Sequence, residues 1–304
     1  MSEHFIKNIE IDNFKCFNSF KAEGFKRVNL IGGKNNVGKT AFMEACYINV
    51  EENSSIALLT IIESRYKLDF FEELLKEVGL QFIRNSVKNK AQELKNSTIT
   101  TNLQAVKVEY DETKILNISN KKTLFIDTKQ SSSQDLDEFY ANILENRLEE
   151  ELDTALKLFD ENLDSFRIIK SIPKCSLVSD KLFYNLNEFG DGTYRYITYL
   201  AIFLSFKDGI VFIDEIDNGI HFSKFDEMWK MILILSKKNN IQLFTTTHSK
   251  ECIDSYARVS KKLKDENTTF IALGRDKESK LKAIVMKSER FYRELRDGNG
   301  VRGW

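Results

Sequence analysis

The chain has 304 residues, with 45 Lys+Arg against 46 Asp+Glu, 42 % hydrophobic and 30 % charged. That balance excludes a disordered or fibrous chain and a polycation that coats nucleic acid, while allowing a local basic patch. The longest apolar runs, residues 201–206 and 231–235, are too short to span a bilayer. The opening MSEHFIKNIE lacks the basic-then-apolar layout of a signal peptide. Cys16, Cys46, Cys175 and Cys252 are too scattered for a zinc site or a disulfide framework. The expectation is a reduced, cytoplasmic protein without membrane contact, built as one sizeable domain or one domain with an insertion.

In chain order, FIKNIEIDNFKCF (5–17) alternates as an early strand, and KRVNLI (26–31) forms a second strand entering a glycine turn. A helix is predicted from Gly38 to about Val50. Residues 51–98 are helical, with Leu58, Leu59, Ile62, Leu68, Phe71, Leu74 and Leu75 three or four apart. Residues 104–127 predict a small antiparallel meander, with Val106–Tyr110, Ile115–Ile118 and Leu124–Ile126 separated by DET and NKK. A polar link, QSSSQ, leads to one charged helix over 135–161 and short strands around Pro173 and 182–184. The last third predicts a helix (191–206), a buried strand (209–214), a helix (222–236), a strand (241–245) and a helix (249–256). A hairpin (270–273 and 281–285) and a helix (288–296) end the pattern. Such alternation predicts an α/β fold with a mostly parallel sheet and helices on both faces. The expected core is residues 1–50 and 170–304, joined to a helical insertion at 51–100, the meander at 101–130 and a helical arm or lid at 131–169.

Residues Gly33, Lys34, Asn35, Asn36, Val37, Gly38, Lys39 and Thr40 match G-x-x-x-x-G-K-[ST] between a strand and a helix. Glycines permit the turn that points N–H groups inward, and the helix N-terminus favours anions. In that pattern Lys39 reaches the β and γ phosphates of ATP and Thr40 places its hydroxyl on Mg²⁺. The strand GIVFID ends in Asp214 and Glu215, where open α/β sheets bind ligands. Asp214 is expected to hold hydrated Mg²⁺ and Glu215 to polarise the attacking water or take its proton. His248 ends the next strand, in TTTHS, where it suits a γ-phosphate contact and a switch between nucleotide states. His221 is expected to cap or pack the following helix, and His4 to lie on the surface.

Taken together, GKNNVGKT, IDEIDNGIH and TTTHS resemble the ABC-type ATPases that include SMC/Rad50 proteins. Within them the chain looks most like the OLD-like AAA ATPases of bacterial defence systems; IDNFKCF (11–17) also resembles their first strand. The likeness is clear over residues 5–50 and 185–258. It implies a P-loop NTPase fold, ATP and Mg²⁺ as ligands, and a head-to-tail homodimer or higher oligomer. In that frame NEFGDGTYR (187–195) stands at the family's signature segment, reading FGDG in place of LSGGQ. Gly190 and Gly192 would meet the γ-phosphate of nucleotide held by the other subunit. Asn36 matches the loop asparagine, and Asp217 and Asn218 match the loop that crosses the dimer interface. Gln104, Gln130 and Gln134 are the candidates for the metal-proximal glutamine. Only 56 residues follow His248 (304 − 248), and Asp276 and Asp297 form no recognisable acidic triad, so no Toprim nuclease centre is expected. Sustained heptads are missing, so no long coiled coil is expected either.

The resulting expectation is an ATPase whose closure drives or reports a conformational change to a separate effector, a nuclease or toxin, in anti-phage defence. The alternative is an SMC/Rad50-like DNA-binding ATPase of repair or maintenance, with the basic runs at 88–90 and 261–264 as contacts; DNA is compatible with the first reading but not required. A binding module with very slow turnover is disfavoured by Glu215, and a transport ATPase by the absent span and LSGGQ.

Overall fold

The computed structural model describes residues 2–51, 53–66, 79–111, 122–126 and 133–297. The chain opens with a hairpin of β1 (Asn8–Phe14) and β2 (Phe17–Glu23), followed by β3 (Val28–Gly33) and α1 (Lys39–Val50). Helices α2 (Ser54–Tyr66) and α3 (Gly79–Glu93) follow, then strands β4 (Thr98–Thr101), β5 (Ala105–Lys107) and β6 (Thr123–Ile126). Helices α4 (Ser133–Glu145) and α5 (Glu149–Phe159) precede a small sheet of β7 (Leu163–Ile169), β8 (Ile172–Leu177) and β9 (Phe183–Asn185). The last part alternates: α6 (Asp191–Ser205), β10 (Ile210–Ile213), α7 (Phe225–Lys238), β11 (Gln242–Thr246) and α8 (Lys250–Lys262). The hairpin β12 (Thr268–Arg275) and β13 (Leu281–Lys287) and helix α9 (Ser288–Arg296) close it.

The main sheet has the order β13-β12-β3-β11-β10-β6. Every pair from β12 to β6 is parallel, and β13 is an antiparallel edge. Its central strands are buried on both faces, and β10 reads accordingly as a continuous apolar run, while β3 and β11 also bury Asn29, Gln242, Thr245 and Thr246. Pleating still sorts their side chains. Val211, Ile213 and Leu243 face a cluster formed with α4 to α9, while Ile210, Phe212 and Phe244 face α1, α2 and β1. No helix among the described residues is long and apolar enough to cross a membrane.

Four expectations need correction. The single strand at 5–17 is two strands, turned at Lys15 and Cys16; FNSFKAE in β2 has an irregular burial pattern that hides it from a period-two reading. The segment at 101–130 is not one meander. Strands β4 and β5 pair antiparallel and β4 joins β1, whereas β6 leaves them to run parallel beside β10. Ile115, Leu116 and Ile118 lie outside the described residues, as do Leu68, Phe71, Leu74, Leu75 and Gln130. The helix expected over 135–161 breaks at Arg147, whose φ is 56°, and restarts at Glu149. Finally, α4 and α5 do not project from the core as the helical arm or lid expected at 131–169. Leu136, Ile143, Leu152 and Leu156 are fully buried against α6, and Phe159 stacks on Tyr196 with ring centroids 3.8 Å apart.

Candidate active site

The site gathers at the C-terminal ends of β3, β10 and β11, three adjacent parallel strands. Out of β3 comes the loop at 33–40. Gly33 has φ +153°, and a Cβ there would lie 2.6 Å from the Leu273 carbonyl oxygen and 2.9 Å from Val37. Gly38 has φ +97° and would place a Cβ 2.7 Å from the Cys16 thiol. No side chain therefore fits at either position, and the loop backbone stays bare for a ligand. Helix α1 begins at Lys39 with no acidic residue in its first turn and no side-chain cap, so its first N–H groups and dipole remain directed at the loop.

Lys39 folds back over this loop. Its Nζ donates to the carbonyls of Gly33 and Lys34, each at 3.0 Å, and lies 3.2 Å from His248 Nδ1. Burial pushes the ammonium pKa down to about 8 from 10.5, partly offset by Asp214 and Glu215. His248 is held below its ordinary pKa, first by burial and then by the Lys39 charge, while Asp217 and Asp214 oppose that shift. The neutral ring accepts at Nδ1 and keeps its proton on Nε2, which faces Glu215 Oε1 at 3.7 Å.

Asp214 is buried at the end of β10 and takes a hydroxyl on each oxygen. Thr40 Oγ1 donates to Oδ2 at 2.9 Å, and Thr246 Oγ1 donates to Oδ1. The same Thr246 oxygen accepts the Glu215 N–H at 2.8 Å, holding that residue at φ 47°. One residue on, Thr247 Oγ1 donates to Asp217 Oδ1 at 2.5 Å and accepts the Ser249 N–H at 3.0 Å. Neither threonine was singled out in the sequence; the signal was the hydroxyl run TTT at the end of a buried strand. A hydroxyl and a carboxylate side by side are hard oxygen donors, and a bare loop with a buried lysine is a phosphate cradle. The residues fit a magnesium–nucleotide complex.

The segment at 187–195 begins with a capped 3-10 turn (Leu186–Phe189), and Gly190 enters α6 at φ +82°. Gly192 touches the Asp217–Ile220 loop of the same chain so closely that a Cβ would meet the Gly219 carbonyl oxygen at 2.8 Å. The Arg195 side chain also lies against Gly219, where a Cβ would meet it at 3.2 Å. His221 caps the turn Phe222–Lys224 by accepting the Ser223 N–H, as expected of it. Gln104 is not at the site. Its Nε2 donates to the Asn49 carbonyl, at the far end of α1, roughly 14 Å along the helix from Thr40. Gln134 falls in the first turn of α4. Asp276 is used in the β12–β13 turn, accepting the N–H groups of Glu278 and Lys280.

A parallel sheet with this loop at its centre and an acidic pair on the strand two places away defines a P-loop ATPase, and its fold is like that of ABC-type ATPases and SMC heads. Solved structures share the fold. An Smc head bound to the C-winged helix domain of ScpA matches with TM-score 0.53 and 12 % identity, over 94 % of this chain and 99 % of that one. An Smc head with an extended coiled coil, bound to the C-terminal domain of ScpA derived from Pyrococcus furiosus, matches with TM-score 0.51 and 11 % identity, over 97 % and 100 %. The chain belongs to the AAA_21 family, described as "AAA domain, putative AbiEii toxin, Type IV TA system", whose pattern matches residues 28–254. A relative from Helicobacter pylori (strain ATCC 700392 / 26695), named "ATP/GTP phosphatase", is 24 % identical over 322 residues, covering 82 % of this chain and 86 % of that protein.

Proposed function

We propose that the chain binds and hydrolyses Mg²⁺·ATP at a head-to-tail dimer interface, and that closure of the dimer drives or reports a change to a separate effector. The observation that carries this reading is the contact chain Glu215–His248–Lys39 beside Thr40–Asp214, at the C-terminal ends of the inner strands. Lys39 exchanges the carbonyls of Gly33 and Lys34 for the β and γ phosphates, and the N–H groups of residues 34–40 surround them. Thr40 and Asp214 would hold Mg²⁺, which supplies charge neutralisation on the phosphate oxygens. Glu215 orients water and takes its proton as the water oxygen bonds to the γ-phosphorus; the bond to the β–γ bridging oxygen breaks and ADP leaves. His248 donates its Nε2 proton to a γ-phosphate oxygen and so senses whether that group is present. The partner subunit's Gly190 and Gly192 would close on the same phosphate from the start of α6.

A nuclease or toxin acting in bacterial defence is the effector class this reading favours, in line with the likeness to OLD-like ATPases. The DNA-binding alternative has two basic runs to draw on. Lys90 meets Glu93 at 2.6 Å, which weighs against the run at 88–90 as a free phosphate contact. DNA binding that falls steeply with salt would favour that alternative instead. The test of the main reading is Glu215→Gln. It should lose roughly 10²-fold or more in ATP turnover and accumulate ATP-bound dimers in light scattering. Turnover equal to the parent's would refute the assignment.

A further inference from the structure

A cleft of about 580 Å³ opens between α8 and α9, over the start of β12. It lies at the C-terminal half of α8, whose N-terminus follows His248, so helix length puts it about 20 Å from that histidine. Its floor is aromatic and fixed. Tyr256 donates its hydroxyl within reach of the Val28 and Thr269 carbonyls at 3.0 and 3.1 Å, and Phe291 stacks on Phe270 at 4.4 Å. Half-buried Tyr292 offers a ring face that already holds a cation, the Lys261 ammonium 3.8 Å from its centroid.

Two further features point to a ligand. Ser260 lines the cleft at 2 % exposure, and its buried hydroxyl has no hydrogen-bond partner among the described residues. A serine inside a helix ordinarily bonds back to the carbonyl four residues earlier, so an unmatched one is a polar group awaiting an oxygen. Lys264 and Arg293 stand on opposite walls, and neither is in an ion pair among the described residues. Arg296 also lines the cleft but leans on Asp297. Of the carboxylates, Asp265 is taken by the buried Arg27, which leaves Glu266 and Glu289 as acceptors for neutral donors on a ligand.

We infer that this cleft binds a phosphate monoester carrying a planar ring. Its phosphate sits between Lys264, Arg293 and the Ser260 hydroxyl, and its ring covers Tyr292 in place of Lys261. The volume suits a ligand of that size, since small-molecule clefts run from about 300 to 1,000 Å³. The site is separate from the nucleotide loop and stands whether or not the ATPase reading does.

The test uses the full chain with Lys39→Ala, which weakens phosphate binding at the loop. Phenyl phosphate and inorganic phosphate are titrated by calorimetry. Phenyl phosphate should bind, and inorganic phosphate should bind several-fold more weakly. The Lys264→Ala/Arg293→Ala pair should weaken phenyl phosphate at least tenfold. Both side chains are exposed, so the fold should be unchanged by circular dichroism. Ser260→Ala should weaken it about threefold while melting no lower than its parent, because it removes an unmatched buried hydroxyl. Failure of phenyl phosphate to bind, equal affinity for the two probes, or an affinity indifferent to Lys264 and Arg293 would each overturn the assignment.

Discussion

Thr246→Val is the sharpest probe of how the site is held. Valine keeps the shape and strand preference of threonine in β11, so the pairing with β10 and β3 should survive. What is lost is one hydroxyl with two tasks. Its donation to Asp214 Oδ1 is a buried hydrogen bond to a charged group, worth about 1.5–3 kcal/mol. Its acceptance of the Glu215 N–H leaves an amide without that partner, a cost of about 1–3 kcal/mol. Both losses fall on one atom and relax together, so the sum is about 3 kcal/mol. At a urea slope near 3 kcal/mol/M that lowers the unfolding midpoint by about 1 M.

Turnover should suffer more than stability suggests. Glu215 is a non-glycine residue at φ 47°, a conformation that costs about 1–2 kcal/mol and persists only while neighbours hold it. Released from Thr246, its carboxylate drifts, and a displacement of about 1 Å at a reacting group costs on the order of 10²-fold in rate. Phosphate release under saturating Mg²⁺ and ATP measures this directly. Thr246→Ser restores the hydroxyl and should recover most of both losses. A valine variant within about 0.5 kcal/mol and twofold of the parent would refute the reasoning, since a surface substitution would do as much.

Three further outcomes follow from the geometry. Lys39 has its pKa lowered to about 8 from 10.5, so between those values the unfolded chain holds more protons, and nucleotide-free stability should rise with pH across that window. Triphosphate binding should reverse the shift, with uptake of about half a proton at pH 8 and almost none at pH 6, read by calorimetry in buffers of different ionisation enthalpy. Gly192→Ala forces a Cβ against the Gly219 carbonyl oxygen at 2.8 Å and should cost about 1–3 kcal/mol while displacing the 217–220 loop. Gly190→Ala meets nothing within 4 Å and should cost only the strain of its backbone at φ 82°, ψ 164°, about 1–3 kcal/mol; equal denaturation midpoints for Gly192→Ala and the parent would sink the packing argument. Arg27→Ala removes one half of a buried pair with Asp265 and should destabilise by about 3–5 kcal/mol in urea, leaving an unpaired carboxylate.

Much of this site was legible because its elements carry local signatures. The loop at 33–40 needs glycine where φ is positive and space is closed, and a central parallel strand covered on both faces is apolar throughout, so GIVFID declares itself. What was not legible depends on pairing. TLFI in β6 reads as the last arm of a hairpin, and only its register with β10, Leu124 opposite Val211, moves it to the main sheet. The break at Arg147 carries no glycine or proline to announce it. Thr246 reads as ordinary strand composition until Ile213 is set opposite Thr245. That pairing puts Thr246 beside Asp214 and, through its hydroxyl, beside Glu215. A slip of one residue between β10 and β11 would turn Thr246 away and bring a neighbour of opposite facing to the carboxylate. The acidic pair and His248 are therefore not two motifs that happen to meet. They are one arrangement, set by the register of two parallel strands.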